Sequence, residues 1–268
     1  MAGPRLAELG DDDQEQELEG DGLRTIDPGT PGGNVEPDEL EQAEFRDDQR
    51  YAIIGKTGSG KSILSGYLWS IYPGQRILVD VNDDYELGPA ALADEAGGFC
   101  EAEQVRRIDW NARTVRFVPG NQSERLFNDL YAAIWARASE GHGLCVWLDE
   151  SYGPTDAHRS PRWLKRVLTQ GRKRRIMHLA CMQEPVNVMP ALYSQAEHVA
   201  LFELAGRPDD LAALSRRFGM NERELALELG RLPKYGYLLS SLGQERPLAM
   251  PPLGPGELEQ VRRHVLMP

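Results

Sequence analysis

A phosphate-binding loop is the clearest chemical signature in this sequence. Residues 55–62 read Gly-Lys-Thr-Gly-Ser-Gly-Lys-Ser, a complete match to the pattern G-x-x-x-x-G-K-S. Glycines let the backbone fold around a phosphate chain and point its N–H groups inward. Lys61 would neutralise the β and γ phosphates, and the Ser62 hydroxyl would ligate Mg²⁺. The loop predicts nucleoside triphosphate binding by Gly55, Lys56, Thr57, Gly58, Ser59, Gly60, Lys61 and Ser62.

Two adjacent carboxylates supply a second part of the site. Asp149 and Glu150 follow the apolar run at residues 144–148, which reads as a buried strand. Open α/β sheets bind their ligands at the carboxyl edge of such strands. Asp149 would hold Mg²⁺, directly or through Ser62 and water, and Glu150 would activate the water that attacks the γ-phosphate. The pair favours hydrolysis, because a small-molecule kinase has no need of a water-activating base.

A strand-ending amide is the third candidate. Gln183 follows the apolar run at residues 176–182. A polar side chain there can contact both the attacking water and the γ-phosphate, and so report the phosphate to the rest of the domain. A glutamine after a strand is a weak signal alone, and its importance depends on the other two elements.

The elements that would position these residues alternate along the chain. An apolar strand at 51–54 precedes the phosphate loop and a helical run at 63–69 follows it. Apolar strands that do not alternate with polar residues predict a parallel sheet covered by helices on both faces. Further strands are predicted at 76–81, 114–118, 198–202 and 235–239. Helices are predicted at 123–138, from Ser160 (N-cap) and Pro161 to Gly171, and at 208–218, 221–229 and 256–265.

A run of basic residues lies between the second and third site elements. Residues 159–175 contain eight basic side chains and no acidic one: Arg159, Arg162, Lys165, Arg166, Arg172, Lys173, Arg174 and Arg175. Such an excess suits phosphate backbones or the nucleotide of a neighbouring subunit. A solvated helix face is the alternative interpretation. Trp163 is expected to pack into the core, and no base-reading module is visible, so DNA contacts would be made to the backbone.

Four stretches together resemble the FtsK/HerA superfamily of DNA-pumping ATPases. They are residues 55–62, 144–150, 171–178 and 183–185, and residues 77–85 and 198–210 agree with them. Within the superfamily the chain looks most like genome-packaging ATPases of tailless double-stranded DNA viruses. The resemblance covers roughly residues 50–245, and its selective part is the spacing from Gly171-Arg172-Lys173 to Gln183-Glu184-Pro185. Glu184 stands where many cellular translocases carry arginine, which argues against a cellular chromosome pump.

The resemblance implies a RecA-like P-loop NTPase fold with an additional strand and a catalytic glutamate. It implies ATP and Mg²⁺ at the interfaces of a ring, usually of six subunits, with double-stranded DNA through the pore. It also implies an arginine donated by the neighbouring subunit to the γ-phosphate. The candidate is Arg172, with Arg174, Arg175 and Arg159 as alternatives. A capsid vertex or membrane-associated viral proteins would be the docking partners.

Charge divides the chain into two regions. Residues 1–50 hold 16 acidic and 4 basic side chains, whereas the other 218 residues hold 26 of each. Few apolar groups and strong self-repulsion predict that residues 1–48 form a disordered tail, either solubilising or acting as an arm that competes with DNA for the basic residues. Residues 49–268 would form one ATPase domain, of which 207–268 supply C-terminal helices and a closing strand.

Composition limits the compartment and the function class. No apolar run reaches membrane-spanning length, and Cys145 and Cys181 lie in strand-like runs as reduced thiols would, so a cytoplasmic or virion-associated location is expected. The leading prediction is an ATPase that translocates double-stranded DNA, most specifically one that packages a viral genome into a preformed capsid. The alternatives are a DNA- or protein-translocating ATPase of conjugation or secretion, and a nucleotide-dependent switch.

Overall fold

The computed structural model describes residues 48–93, 98–139, 141–156, 160–206 and 208–267. The predicted tail therefore lies outside the described residues except for Asp48, and so does Arg159. The strands are β1 (Arg50–Ile54), β2 (Gln75–Val79), β3 (Glu86–Leu87), β4 (Phe99–Ala102), β5 (Thr114–Phe117), β6 (Leu144–Leu148), β7 (Ile176–Met182), β8 (His198–Leu201), β9 (Tyr237–Ser241), β10 (Leu248–Met250) and β11 (Val265–Leu266). The helices are α1 (Lys61–Ser70), α2 (Pro89–Leu92), α3 (Glu124–Ser139), α4 (Arg162–Gln170), α5 (Ala191–Ser194), α6 (Pro208–Phe218), α7 (Glu222–Arg231) and α8 (Pro255–His264).

A nine-stranded sheet forms the centre of the fold, in the order β10-β9-β8-β1-β7-β6-β2-β5-β4. The seven strands from β8 to β4 pair in parallel, and β9 and β10 continue the sheet antiparallel. Strand β7 lies between β1 and β6, so the two strands that end in the phosphate loop and in Asp149-Glu150 are separated by one additional strand. This topology confirms the predicted mostly parallel sheet and its additional strand.

The central strands of the sheet are buried on both faces. Along β1, Ala52 and Ile54 join a core cluster that includes residues of α3 and α4, whereas Tyr51 and Ile53 join a second cluster that includes residues of α1. Successive side chains of a strand point to opposite faces, so a strand covered on both sides is apolar throughout. Burial on both faces therefore explains why the apolar runs of the sequence do not alternate with polar residues.

Two details of the helix before β7 differ from the predictions. The helix α4 begins at Arg162, after Pro161, and the Ser160 hydroxyl contacts the Met189 sulfur at 2.8 Å instead of capping the helix. At its other end Gly171 has ordinary right-handed backbone angles, and the chain continues as a 3₁₀ turn, Gly171–Arg174. The left-handed residue that ends the turn is Arg175, with φ of 54°.

The C-terminal region completes the sheet and covers the second core. Its helices lie within one or two residues of the predicted bounds, but the closing strand begins at Tyr237 because Tyr235 lies in a turn. The short strands β3, β4, β10 and β11 were not predicted. In the described part of the chain, no helix has both the length and the apolar character needed to cross a membrane.

Candidate active site

Three neighbouring strands deliver the predicted site residues to one edge of the sheet. The phosphate loop follows β1, Asp149 and Glu150 follow β6, and Gln183 follows β7. Residues of all three segments line one cavity of about 420 Å³. Because the carboxyl ends of parallel strands meet at the same edge, residues about 90 to 120 positions apart in sequence become neighbours.

The phosphate loop has, at two positions, a left-handed backbone conformation that favours glycine. Gly58 has φ of 74° and Gly60 has φ of 109°. A side chain at Gly55 would meet the Phe202 Cβ at 2.7 Å, so this position also requires glycine. Lys61 donates from Nζ to the Lys56 carbonyl at 2.8 Å, which holds its ammonium group against the loop, and burial lowers the pKa of that group.

A chain of hydrogen bonds connects the phosphate loop to the predicted water-activating carboxylate. The Thr57 hydroxyl donates to Gln183 Oε1 at 2.9 Å, and Gln183 Nε2 donates to Glu150 Oε2 at 3.0 Å. Glu150 Oε1 also accepts the Tyr152 N–H at 3.0 Å. Both carboxylate oxygens are therefore held, and the orientation of Glu150 depends on the loop through Gln183.

The second carboxylate of the pair has a different environment. Asp149 is 9% exposed, and its Oδ1 accepts the Val81 N–H at 2.9 Å. Burial raises the pKa of Asp149 to about 8; the Val81 N–H lowers this pKa, and the nearby Asp80 and Glu150 carboxylates raise it further. A carboxylate held this way is stabilised by a bound cation.

The residues fit a magnesium ion that is shared with a nucleotide. Ser62 and Asp149 line the same cavity and supply a hydroxyl and a carboxylate. Among the described residues, no group of three or more His, Cys, Asp or Glu side chains could hold a metal alone. Mg²⁺ commonly binds through one or two protein oxygens, with substrate phosphates and waters completing its shell. The donor set matches that pattern.

Tyr85 is a site residue that sequence reasoning did not single out. Its hydroxyl donates to Ser62 Oγ at 3.0 Å, and its ring packs 5.1 Å from that of Trp147. The buried Asp80 carboxylate accepts the backbone N–H groups of Asp84 and Tyr85, and it is paired with Arg116 at 2.7 Å. Asp80, which directly follows β2, therefore shapes the loop that carries Tyr85 to Ser62. The only sequence signal was the agreement of residues 77–85, which end in Tyr85, with the superfamily resemblance.

The arginine candidates that the structure describes, Arg172, Arg174 and Arg175, lie at the opposite edge of the sheet. Arg172 precedes β7, whereas Gln183 follows it, and the seven residues of β7 span roughly 20 Å. The Arg172 guanidinium pairs with Asp48 at 3.5 Å. Arg172 therefore cannot reach the phosphate loop of its own chain.

The other basic residues of the run that the structure describes lie along α4 and the turn that follows it. Two tryptophans, Trp135 and Trp163, organise three of their guanidinium groups. Arg162 lies 5.5 Å and Arg166 5.0 Å from the Trp163 ring, while Arg166 lies 4.5 Å and Arg174 4.3 Å from the Trp135 ring. We call these five residues the arginine–tryptophan ladder. Trp163 is half-buried: one part of its ring packs against the core, and the ring also contacts two arginines. The other basic residues of the run, Lys165, Lys173 and Arg175, are exposed.

Comparison with known proteins identifies the fold. The genome packaging NTPase B204 from Sulfolobus turreted icosahedral virus 2, in complex with sulfate, is similar with a TM-score of 0.61 at 18% identity, over 78% of this chain and 98% of that one. Its complex with ATP-gammaS gives 0.59 at 16% identity, over 78% and 99%. The DNA-packaging ATPase B204 from Sulfolobus turreted icosahedral virus gives 0.58 at 18% identity, over 77% and 98%. No family model and no curated protein sequence matches the chain. At this identity the shared feature is the fold, and the comparison confirms the predicted P-loop NTPase fold.

Proposed function

We propose that this chain is an ATP-hydrolysing motor that translocates double-stranded DNA, with genome packaging as its task. The shared fold with B204 supports this proposal, and so does the site at the carboxyl edge of the sheet. In this proposal residues 49–268 are the ATPase domain and residues 1–48 a separate acidic tail. The motor would work with copies of itself in a ring, which we expect to contain six subunits.

The hydrogen-bond chain from Thr57 through Gln183 to Glu150 is the observation that carries the proposal. Glu150 would take a proton from the attacking water, and Gln183, which is held by Thr57 of the phosphate loop, would orient Glu150 towards that water. Lys61 would neutralise the β and γ phosphates. Ser62 and Asp149 would hold Mg²⁺, which would supply charge neutralisation on the phosphate oxygens. Because Thr57 belongs to the phosphate loop, these hydrogen bonds would couple the position of Glu150 to nucleotide binding, as a motor requires.

Arg172 would complete the site of a neighbouring subunit. It lies too far from its own phosphate loop, at the other end of β7, and it is half-exposed beside Asp48. An arginine supplied in trans can raise turnover by about 10³–10⁵. Release from Asp48 would accompany insertion, so assembly would switch the enzyme on.

The arginine–tryptophan ladder is the proposed contact with the DNA backbone. Guanidinium groups stacked on indole rings lose less freedom when they bind, and they present planar donors to phosphate oxygens. The exposed Lys165, Lys173 and Arg175 would add charge around the ladder, and Arg159, outside the described residues, remains part of the same prediction. Contacts of this kind tolerate any DNA sequence.

The test is steady-state ATP hydrolysis with and without linear double-stranded DNA. We expect DNA to stimulate the wild type, and we expect Glu150→Gln and Arg172→Ala each to lose at least about a hundredfold in turnover. An equal mixture of the two variants should regain activity, because the Glu150→Gln subunit can donate Arg172 to the intact Glu150 of its neighbour. Arg125→Ala is the matched control, since Arg125 is an exposed arginine on α3 and is expected to leave turnover unchanged.

The outcomes separate the parts of the proposal. Hydrolysis that ignores DNA at every salt concentration would exclude a DNA motor and leave a protein-moving ATPase. Two inactive variants that stay inactive when mixed would exclude Arg172 as the residue supplied in trans.

A further inference from the structure

Tyr235 has a backbone conformation that a bulky residue rarely adopts. It is the third residue of a turn closed by the Gly236 N–H on the Pro233 carbonyl at 2.8 Å, and its φ is 68°. Glycine or asparagine is favoured at such a position, and a large side chain there is strained. Strained residues are concentrated at functional sites, so the strain raises the question of what the tyrosine ring does.

The ring lies against the phosphate loop. An added Cβ at Gly60 would lie 3.5 Å from Tyr235 Cβ and 3.2 Å from the Phe202 ring, so two aromatic side chains flank this loop glycine. Tyr235 is 42% exposed, and it lines the phosphate cavity and two cavities beside it. A half-exposed aromatic ring at this junction is available to a ligand that extends beyond the phosphates.

The direction in which a nucleotide would extend follows from the proposed site. Glu150 and Gln183 mark the γ-phosphate end of the cavity, so the ribose and base leave from the other end. Gly60, Ile63 and Tyr235 line the phosphate cavity, and the same three residues line an apolar cleft of about 100 Å³, so the cleft adjoins the cavity. The cleft also contains Phe202, Tyr237 and Leu253, and among the described residues that line it the only polar side-chain atoms are tyrosine hydroxyls.

We propose that this cleft is the nucleobase subsite and that Tyr235 is its stacking wall. The proposal rests on the proposed function, because it extends the nucleotide from the phosphate loop. The strained turn is the means by which a ring reaches Gly60 from the loop before β9. Stacking and shape hold the base, and the cleft has no side-chain amide or carboxylate to distinguish one purine from another, so ADP and GDP bind alike.

A second cavity defines the competing position for the base. It has a volume of about 480 Å³, touches the loop at Lys56 and Ser59, and is lined by Glu203, Leu232 and also Tyr235. Lys56 and Glu203 form an ion pair within it. Leu253 lines only the apolar cleft and Leu232 only this polar cavity, and both are partly buried, so this pair of leucines separates the two positions.

The experiment measures dissociation constants of ADP, GDP and inorganic tripolyphosphate with Mg²⁺ on the full chain by titration calorimetry. In Tyr235→Gly we expect the constant for ADP to rise about tenfold, the usual effect of losing one stacking ring, while that for tripolyphosphate stays unchanged. Tyr235→Phe should bind ADP like the wild type. Leu253→Gln should weaken ADP binding, and Leu232→Gln should not.

Stability provides an independent readout on the same variants. Glycine adopts positive φ without strain, so Tyr235→Gly should unfold at the same or a higher temperature than the wild type, and weakened ADP binding cannot then be ascribed to unfolding. Unchanged ADP binding in Tyr235→Gly, equal losses for ADP and tripolyphosphate, or an effect of Leu232→Gln alone would each overturn the proposal. A wild type that binds neither ADP nor tripolyphosphate would instead overturn the proposed function.

Discussion

Buried acidic side chains are paired with arginine at the amino edge of the central sheet, but one buried acid at the carboxyl edge has no such partner among the described residues. At the amino edge, where β1 and β8 begin, the buried Arg50 guanidinium pairs with Glu197, which also accepts the Arg50 N–H at 2.8 Å. At the carboxyl edge Asp80 is paired with Arg116, but Asp149 forms no ion pair with any described residue. At the amino edge the buried charges neutralise each other within one chain. At the carboxyl edge the charge of Asp149 would be neutralised only by a bound cation. The comparison distinguishes the charge of Glu197, which stabilises the fold, from the charge of Asp149, which would bind the metal ion of the active site.

The largest expected effect is at the amino edge. Glu197→Gln leaves the Arg50 guanidinium buried without a negative partner, and we expect the free energy of unfolding to fall by about 3 kcal/mol in urea denaturation. Glu228→Gln is the matched control, because its ion pair with Arg231 is exposed and should contribute less than about 1 kcal/mol. Equal losses of stability in the two variants would show that the buried Arg50–Glu197 pair is no more important to the fold than an exposed ion pair.

Acid should also destabilise the amino edge. Burial lowers the pKa of His178 to about 3 and that of His198 to about 4, with Arg50 lowering the first further and Arg217 the second, although Glu197 raises the second. Because the unfolded chain then binds more protons, stability is fully present above about pH 6.5 and is lost as the pH falls towards 4. We expect His198→Gln to remove about 1–2 kcal/mol of the loss between pH 7 and pH 5, measured by urea denaturation at both values. An unchanged pH dependence would contradict the role of His198.

The smallest effect is expected at the carboxyl edge, with the opposite sign. The pKa of Asp149 is about 8 in the folded chain and near 4 when unfolded, so stability falls as the pH rises between these values. Asp149→Asn removes the charge but leaves a buried amide in its place, so it recovers only part of this penalty, and in EDTA at pH 8 we expect the free energy of unfolding to rise by about 1 kcal/mol. The same variant should bind ADP with Mg²⁺ more weakly. A loss of stability in EDTA would show that the Asp149 carboxylate supports the fold.

The site residues could be predicted largely because their patterns are local. The phosphate loop, the Asp149-Glu150 pair and Gln183 each follow an apolar run, and the carboxyl-edge rule brings them together once the sheet is known to be parallel. Boundaries were less accurate where tertiary contacts compete with local preference. Ser160 contacts Met189 instead of capping α4, and Tyr235 forms a turn where a strand was expected.

Contacts between distant segments could not be predicted, because they depend on the packing of whole elements. The basic run suggested one patch, but α4 spreads its residues from 162 to 175 between the two edges of the sheet, and Trp135 from α3 contacts two of its arginines, Arg166 and Arg174. Tyr85 reaches Ser62 only because Asp80 shapes the intervening loop. Trp135 carried no local signal of this role, and Tyr85 carried only the agreement of residues 77–85 with the superfamily resemblance.

The sequence by itself determined the chemistry that is possible, because a glycine-rich loop before a helix and a carboxylate after a buried strand have few other uses. It also determined the class of sheet, through apolar strands that are covered on both faces. Only the tertiary structure decided which side chains meet. The hydrogen bonds from Thr57 to Gln183 and from Gln183 to Glu150, the distance of Arg172 from its own phosphate loop and the position of Tyr235 all depend on how strands far apart in sequence align side by side.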